Sequence, residues 1–321
     1  MMNHSVKIRL YIANSENSEN NYQEFQDCIA FTLEREIYTP FDTVTATFPA
    51  EEISHQKISR ISVWLDETEI FLGLVDSIRF SFRNQRRFLK IRSKSFTSDL
   101  TQNELPSGRH NNLTIHDLME NFYSFPRITY DDLPESGYIF VKSGNTMWDG
   151  VVNFGYKLTG HYPYVTGNHV HLLRPSVNPE NNPVIEFSPG EVLEYGTLQD
   201  YSRMISQYHM SDMLNNTPDA FIKDNPLATG LEIVRNKHID FDDSFRHAPE
   251  LALTYRNAYS NRGCRADYLL YNGFQNWQLG DLIRFGDSIP AQTLCKVRAV
   301  YSPQGFRTEL TCYQDGFYNK S

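Results

Sequence analysis

From Asn276 to Tyr313 the chain reads NWQLGDLIRFGDSIPAQTLCKVRAVYSPQGFRTELTCY, and this stretch restricts the fold more than any other. Its second half places Val297, Ala299 and Tyr301 on one phase, breaks at Ser302-Pro303-Gln304-Gly305, and resumes through Phe306, Thr308, Leu310 and Cys312. Period-two alternation on both sides of a Pro/Gly break predicts a β-hairpin. Leu72–Ser95 has the same layout. Val75, Ser77, Arg79 and Ser81 share one phase, and Leu74, Asp76, Ile78, Phe80 and Phe82 share the other. A polar break at Arg83-Asn84-Gln85-Arg86 follows, then a second strand through Phe88, Leu89 and Ile91. Val75-x-x-Ile78 overlays Val297-x-x-Val300, and Leu89-x-Ile91 falls near Leu310-x-Cys312. Hairpins resemble one another by physics alone, so the likeness fits a repeat or two unrelated meanders.

At 321 residues the chain exceeds what one core usually serves, so two or three domains are expected. The 19 Tyr and 21 Phe favour pleated, half-buried surfaces. A formal net charge of −9 argues against a chain built mainly to bind nucleic acid, which would repel it at long range. Cys28, Cys264, Cys295 and Cys312 are far apart and form no C-x-x-C pair, so reduced, buried thiols are expected rather than a zinc knuckle or a disulfide scaffold. MMNHSVKIRLYIAN lacks the apolar core of a signal peptide, and no run approaches the ~18 apolar residues of a membrane span. Synthesis and retention in a cytoplasm are the expectation.

Taken in order, residues 6 to 13 alternate as a first strand, and the polar run Asn14 to Asn21 reads as a loop. Cys28 to Glu36, Thr43 to Phe48, Ile61 to Leu65, Glu69 to Phe82 and Phe88 to Ser95 follow at the close spacing of an antiparallel barrel or sandwich, with a turn at Asp66-Glu67-Thr68. The strand pattern stops near Gln102, closing a first β domain of residues 1–102. Residues 103–183 read as a small α+β module. Thr114-x-x-Asp117 caps a short helix carrying Ile115, Leu118, Met119 and Phe122. Asn145 to Asp149 opens a second helix stopped by Gly160, and a hairpin closes at Thr166-Gly167-Asn168. Strands return at Val184, at Glu191 to Leu198, and through Met204, Ile205, Tyr208 and Met210. Residues 214–230 look loop-like, and Asp242-Asp243-Ser244 precedes a helix using Phe245, Ala248, Leu251, Ala252, Tyr255 and Tyr259, with Pro249 as an alternative first turn. The second β unit is therefore discontinuous, 184–213 and 264–321, with 214–263 inserted.

Candidate chemistry is sparse. His169-Val170-His171 puts two imidazoles on one strand face, but no third ligand follows at a recognisable spacing, so surface histidines are expected and no metal is assigned. His209, Ser211 and Asp212 lie together without a nucleophile elbow. Glu191 and Glu194, with Asp240, Asp242 and Asp243, are carboxylate clusters that a glycoside hydrolase could use as acid and base, although acids before a helix also suit its dipole. No phosphate-binding glycine motif occurs, and no cofactor or catalytic residue is assigned. The densest local charge is the first hairpin, with Arg79, Arg83, Arg86, Arg87, Lys90, Arg92 and Lys94. It reads as a solvated strand face, as a docking surface for an acidic partner, or as a positive lining toward passing DNA. Trp277, Gly280 and Asp281, in W-x-x-G-D, read as a structural tight turn at the start of a strand.

Several segments resemble the baseplate hub proteins of contractile phage tails, the late control protein D family. They are Phe41-Asp-Thr-Val-Thr-Ala-Thr-Phe48, Phe71-Leu-Gly-Leu-Val-Asp-Ser-Ile78, Leu89-Lys-Ile-Arg-Ser-Lys-Ser-Phe-Thr-Ser-Asp-Leu100, Trp277-Gln-Leu-Gly-Asp-Leu-Ile283 and the hairpin Val297 to Leu310. Together they span most of the chain, and none is catalytic. The resemblance implies a mainly β fold of two similar antiparallel barrels plus the α+β module. It implies a homotrimer presenting six barrels around a central channel, adapting a six-fold tail tube to a three-fold spike. The implied partners are the tail spike, the tail tube, other baseplate proteins and, transiently, passing DNA. The implied place is the virion tail, assembled in the cytoplasm of a bacterial host. The chain ends soon after its last strand, so no fused spike is expected, unlike type VI secretion spike proteins, where hub and spike share a chain. The basic hairpin would face the channel or the tube. The rival readings are a cell-wall glycan hydrolase, with its acid and base near Glu191 and Asp240, and a monomeric carbohydrate-binding β protein using exposed aromatics such as Trp64 or Trp277.

Overall fold

The computed structural model describes residues 6–13, 21–26, 28–49, 57–188, 190–212, 217–239, 249–286 and 290–314. The expected helix positions Phe245 and Ala248, the carboxylates Asp240, Asp242 and Asp243, and most of the expected loop 14–21 lie outside the described residues.

The first β unit contributes β1 (Val6–Ile12), β2 (Tyr22–Phe25), β3 (Ala30–Glu36), β4 (Thr43–Pro49), β5 (Ile58–Leu65), β6 (Thr68–Arg83) and β7 (Arg86–Ser95). Its alternating residues dictate which side is buried: Ile8 and Leu10, Phe31 and Leu33, Val44 and Ala46, and Leu89 and Ile91 all point to one core. The β6–β7 hairpin turns at Asn84 and Gln85, both with positive φ (47° and 61°), as a two-residue turn matching the strand twist requires. Strand β2, four residues at the sheet edge, was not expected from the sequence.

The α+β module contributes β8 (Gly108–Leu113), α1 (Ile115–Glu120), β9 (Thr129–Tyr130), β10 (Gly137–Val141), α2 (Met147–Thr159), β11 (Tyr164–Thr166) and β12 (His169–His171). Both helices open with a reciprocal capping box, Thr114 with Asp117 and Thr146 with Asp149. Helix α2 ends on Gly160 at φ 71°, a left-handed cap that a side chain would strain.

The remainder contributes β13 (Val184–Phe187), β14 (Val192–Gln199), β15 (Gln207–Asp212), β16 (Thr217–Asp224), α3 (Pro226–Gly230), β17 (Asn236–Ile239), α4 (Pro249–Ser260), β18 (Arg265–Tyr271), β19 (Leu282–Phe285), β20 (Gln292–Thr293), β21 (Lys296–Ser302) and β22 (Gly305–Tyr313). Strand β21 pairs with β3, so the two β units form one eleven-stranded sheet in the order β14-β18-β22-β21-β3-β4-β7-β6-β5-β1-β2. Val297, Ala299, Leu310 and Cys312 bury into the same core as the first unit, and β13-β19-β20 brings Phe187, Ile283 and Phe285 onto it. All four cysteines are buried and unbridged.

Two strand assignments from the sequence need correction. The stretch through Tyr208 and Met210 does not join the large sheet: β15 pairs with β16 and β17 in a separate sheet. Residues 217–224, expected as loop, form β16, whose largely exposed side chains show little apolar alternation to read. This small sheet and α4 pack on the α+β module. Tyr156 meets Tyr255 and Tyr162 meets Tyr259, with ring centroids 5.0 and 6.1 Å apart, and the resulting core includes Leu118, Val151, Met210 and Leu253. No helix among the described residues is long and apolar enough to cross a membrane.

Gly73 marks the tightest passage in the large sheet, because a Cβ there would overlap the Lys94 carbonyl of the neighbouring β7. Gly73→Ala is expected to destabilise the chain by about 1–3 kcal/mol in denaturant titration. Gly230→Ala, where a Cβ meets nothing within 4 Å, should be neutral or slightly stabilising.

Candidate functional site

A buried guanidinium sits where the β units and the module meet. Arg35 occupies the inward phase of β3, following Phe31 and Leu33, and its side chain is 3% exposed. Its Nε donates to Asp42 Oδ2 at 3.1 Å, Nη2 donates to the Ile70 carbonyl at 2.7 Å, and Nη1 donates to Asn276 Oδ1 at 3.0 Å and to the Trp277 carbonyl at 2.7 Å. The backbone N–H of Gly167, at the tip of the β11–β12 hairpin, also favours the charged form of Asp42. Burial pushes the Asp42 carboxyl up, against the charge and hydrogen bond of Arg35. Asn168 Oδ1 accepts from the Phe96 N–H at 2.8 Å, fixing the same hairpin tip to the end of β7.

The W-x-x-G-D turn lies against this cluster. Trp277 is 2% exposed and packs on Phe187, Tyr271 and Phe274, so it is not the exposed aromatic that the rival carbohydrate-binding reading would use. Asp281 Oδ2 accepts from the Gln278 N–H at 2.8 Å, and Gly280 takes φ 95° while its N–H donates to the Leu294 carbonyl. The turn is a structural joint that launches β19. Trp64 is half-buried beneath Arg9, whose guanidinium carbon lies 4.4 Å from the ring centroid.

The basic hairpin divides between two faces. Cross-strand pairing sets Arg79 opposite Lys90, Arg83 opposite Arg86 and Ser77 opposite Arg92, so Arg79, Arg83, Arg86, Lys90 and Arg92 share one exposed face. No ion pair joins any of these five to another described residue. Arg87 belongs to the opposite face and lies 4.3 Å over Phe80, and Lys94 is bound to Asp76 at 3.0 Å. The basic face continues across the sheet through Thr45 and Thr47, then Thr32, to the Arg298–Glu34 ion pair at 2.9 Å.

The polar clusters read from sequence fall elsewhere. Glu191 accepts from the Ser188 N–H and Glu194 from the Tyr268 hydroxyl, and both are exposed on or beside the edge strand β14. His169 and His171 do acquire a third polar partner, Asp131, from just beyond β9. His209 likewise meets Asp219 and His238 rather than a catalytic serine array. Sequence reasoning missed Arg35 and Asp131. The signal for Arg35 was a charge on the buried phase of an otherwise apolar strand, and Asp131 reaches the histidines through the parallel pairing of β9 with β12.

No protein-family model matches the chain, and no curated protein sequence matches it. Solved structures do match in fold. A tail protein from Neisseria meningitidis superposes with TM-score 0.68 at 13% identity, over 98% of each chain. The 43 kDa tail protein of prophage MuSo2 from Shewanella oneidensis gives TM-score 0.70 at 10% identity, over 96% of this chain and 98% of that one. A chain of the Francisella PdpA–VgrG complex gives TM-score 0.58 at 12% identity, over all of this chain and 59% of that one. The mainly β architecture is thus that of phage tail proteins, in line with the tail-hub resemblance read from the sequence.

Arg35→Met should leave Asp42 buried without its counter-charge and cost about 3–5 kcal/mol in denaturant titration. Replacing both residues by apolar ones should recover part of that loss, because the uncompensated charge disappears with its partner.

Proposed function

We propose that the chain is a structural hub of a phage tail or related injection device. Three copies form a ring that adapts a six-fold tube to a three-fold spike and encloses a channel. The single observation that carries this reading is the end-to-end likeness to two phage tail proteins, which aligns both β units and the module between them at once. In this reading the two halves of the eleven-stranded sheet, joined at β3 and β21, are the two similar barrels, and no catalytic group is needed. The domain division kept in this reading is residues 1–102, the module 103–183, and a second barrel from 184–206 and 264–321, with the insertion beginning at β15 because that strand pairs with β16 and β17.

Two surfaces fit such a hub. Strand β14 ends the sheet and exposes Leu193 and Leu198 at 51% and 54%, an apolar edge that a neighbouring subunit would cover. The five cations on the β6–β7 face include the directly opposed pairs Arg79/Lys90 and Arg83/Arg86. Like charges across a ladder raise the energy of the free hairpin. An acidic tube or spike surface, or passing DNA, laid on this face would lower it.

Light scattering after size exclusion should give a species of about three times 37.3 kDa, and a monomer at every concentration would contradict the ring. Leu193→Asp combined with Leu198→Asp should shift that species toward monomer. Arg79→Glu with Lys90→Glu and Arg92→Glu should leave the mass unchanged yet block tail assembly in cells. Normal tails from that variant would remove the basic face from the interface.

A further inference from the structure

We propose that Asp131, His169 and His171 form a binding site for a divalent transition metal, zinc in the first instance. The site lies on the surface of the α+β module, apart from the sheet surfaces assigned to assembly. Its three inner ligand atoms converge. His169 Nε2 lies 2.9 Å and His171 Nδ1 lies 3.6 Å from the same oxygen, Asp131 Oδ1, and the three atoms are all within 4.8 Å of one another. Two donors on a tetrahedral zinc at ordinary bond lengths stand roughly 3.3 Å apart, a value these separations bracket. Small shifts of the rings would seat an ion.

The outer atoms of the same side chains are held as metal ligands require. His169 Nδ1 is 2.7 Å from Thr129 Oγ1, and His171 Nε2 is 2.7 Å from Thr166 Oγ1. Each hydroxyl can accept the outer N–H, which leaves the inner nitrogen with a free lone pair. In that tautomer all three inner atoms are acceptors, an arrangement that a bound cation satisfies. When the hydroxyls donate instead, the inner N–H groups turn to the carboxylate, so the site is also self-consistent without metal. Asp131 Oδ2 is fixed separately, accepting the N–H groups of Leu172 at 2.9 Å and Leu173 at 3.4 Å.

The donor set favours zinc, cobalt or nickel over calcium or magnesium, which prefer oxygen ligands alone. Side-chain exposures of 34%, 26% and 22% for His169, His171 and Asp131 leave the site reachable from solvent, with a fourth position for water. An ion there would tie the segment after β9 to β12, and so stiffen the hairpin whose tip bonds the Phe96 N–H through Asn168. The second cluster, His209, Asp219 and His238, provides an internal control: His238 is 70% exposed and its ring stacks on His209 at 4.6 Å.

The test is titration of the purified full chain with Co²⁺, followed by its visible absorption, and with Zn²⁺ in competition with a chromophoric chelator. The wild type should bind one equivalent that His169→Ala with His171→Ala abolishes and His209→Ala with His238→Ala retains. Thr166→Val, which leaves every ligand in place, should weaken that equivalent by about 10–100-fold. It also keeps the test decisive should the double variant fail to fold. Absence of tight binding by the wild type would reduce the cluster to hydrogen bonds and overturn the proposal. So would equal stoichiometry in the His169/His171 variant, or loss of the metal only with His209 and His238.

Discussion

The guanidinium of Arg35 joins three parts of the chain to β3 at one point. It is hydrogen-bonded to the β3–β4 connection through Asp42, to β6 through the Ile70 carbonyl, and to the 276–277 segment through Asn276 and Trp277. The module hairpin is tied in beside it, where Asn168 accepts from the Phe96 N–H at the end of β7. Burying such a pair brings little net stability, since the desolvation of both charges offsets their attraction. Its value lies in geometry. Each donor of a planar, rigid fork accepts only one placement of its partner, so the pair fixes how the module, the turn and the two β units sit against one another.

With that joint in place, the sheet follows from period-two patterning. In the strands between β18 and β1, one face supplies Val, Leu, Ile and Phe to a common core and the other faces outward with Thr, Arg, Lys and Glu, while the edge strand β14 stays largely exposed. Continuity through β3 and β21 is what turns two separately legible hairpins into one surface. The module and the insertion are then packed beneath a tyrosine cluster in which Tyr38 stacks on Tyr313 at 5.6 Å and Tyr162 meets Tyr259.

Much of this was legible in the residues. Both hairpins, both capped helices and the Gly160 stop declare themselves through local rules, because turn φ angles and caps are set within a few positions. Strands β16 and β2 escaped because TPDAFIKD and YQEF show little apolar alternation, and an exposed or edge strand needs none. The W-x-x-G-D turn was legible as a turn, but not the aromatic cluster around Phe274 into which the Trp277 ring packs, since those rings come from separate segments. The basic hairpin was seen but not its sidedness, which the bulge between Val75 and Ser77 and the pairing register decide. The Asp131–His169–His171 group was invisible to spacing rules, since its carboxylate comes from 38 residues upstream.

The hub role proposed above would require one chain's two β units to act as near-equivalents toward a six-fold neighbour while meeting a three-fold one. A single sheet with related hairpins in its two halves, locked at one buried node, suits that demand. Electron microscopy of the purified chain, viewed down its symmetry axis, addresses this geometry without any partner. Three copies should appear as a ring with six similar lobes around an open centre. Separate single-chain particles, or rings whose lobes number other than six, would contradict the hub.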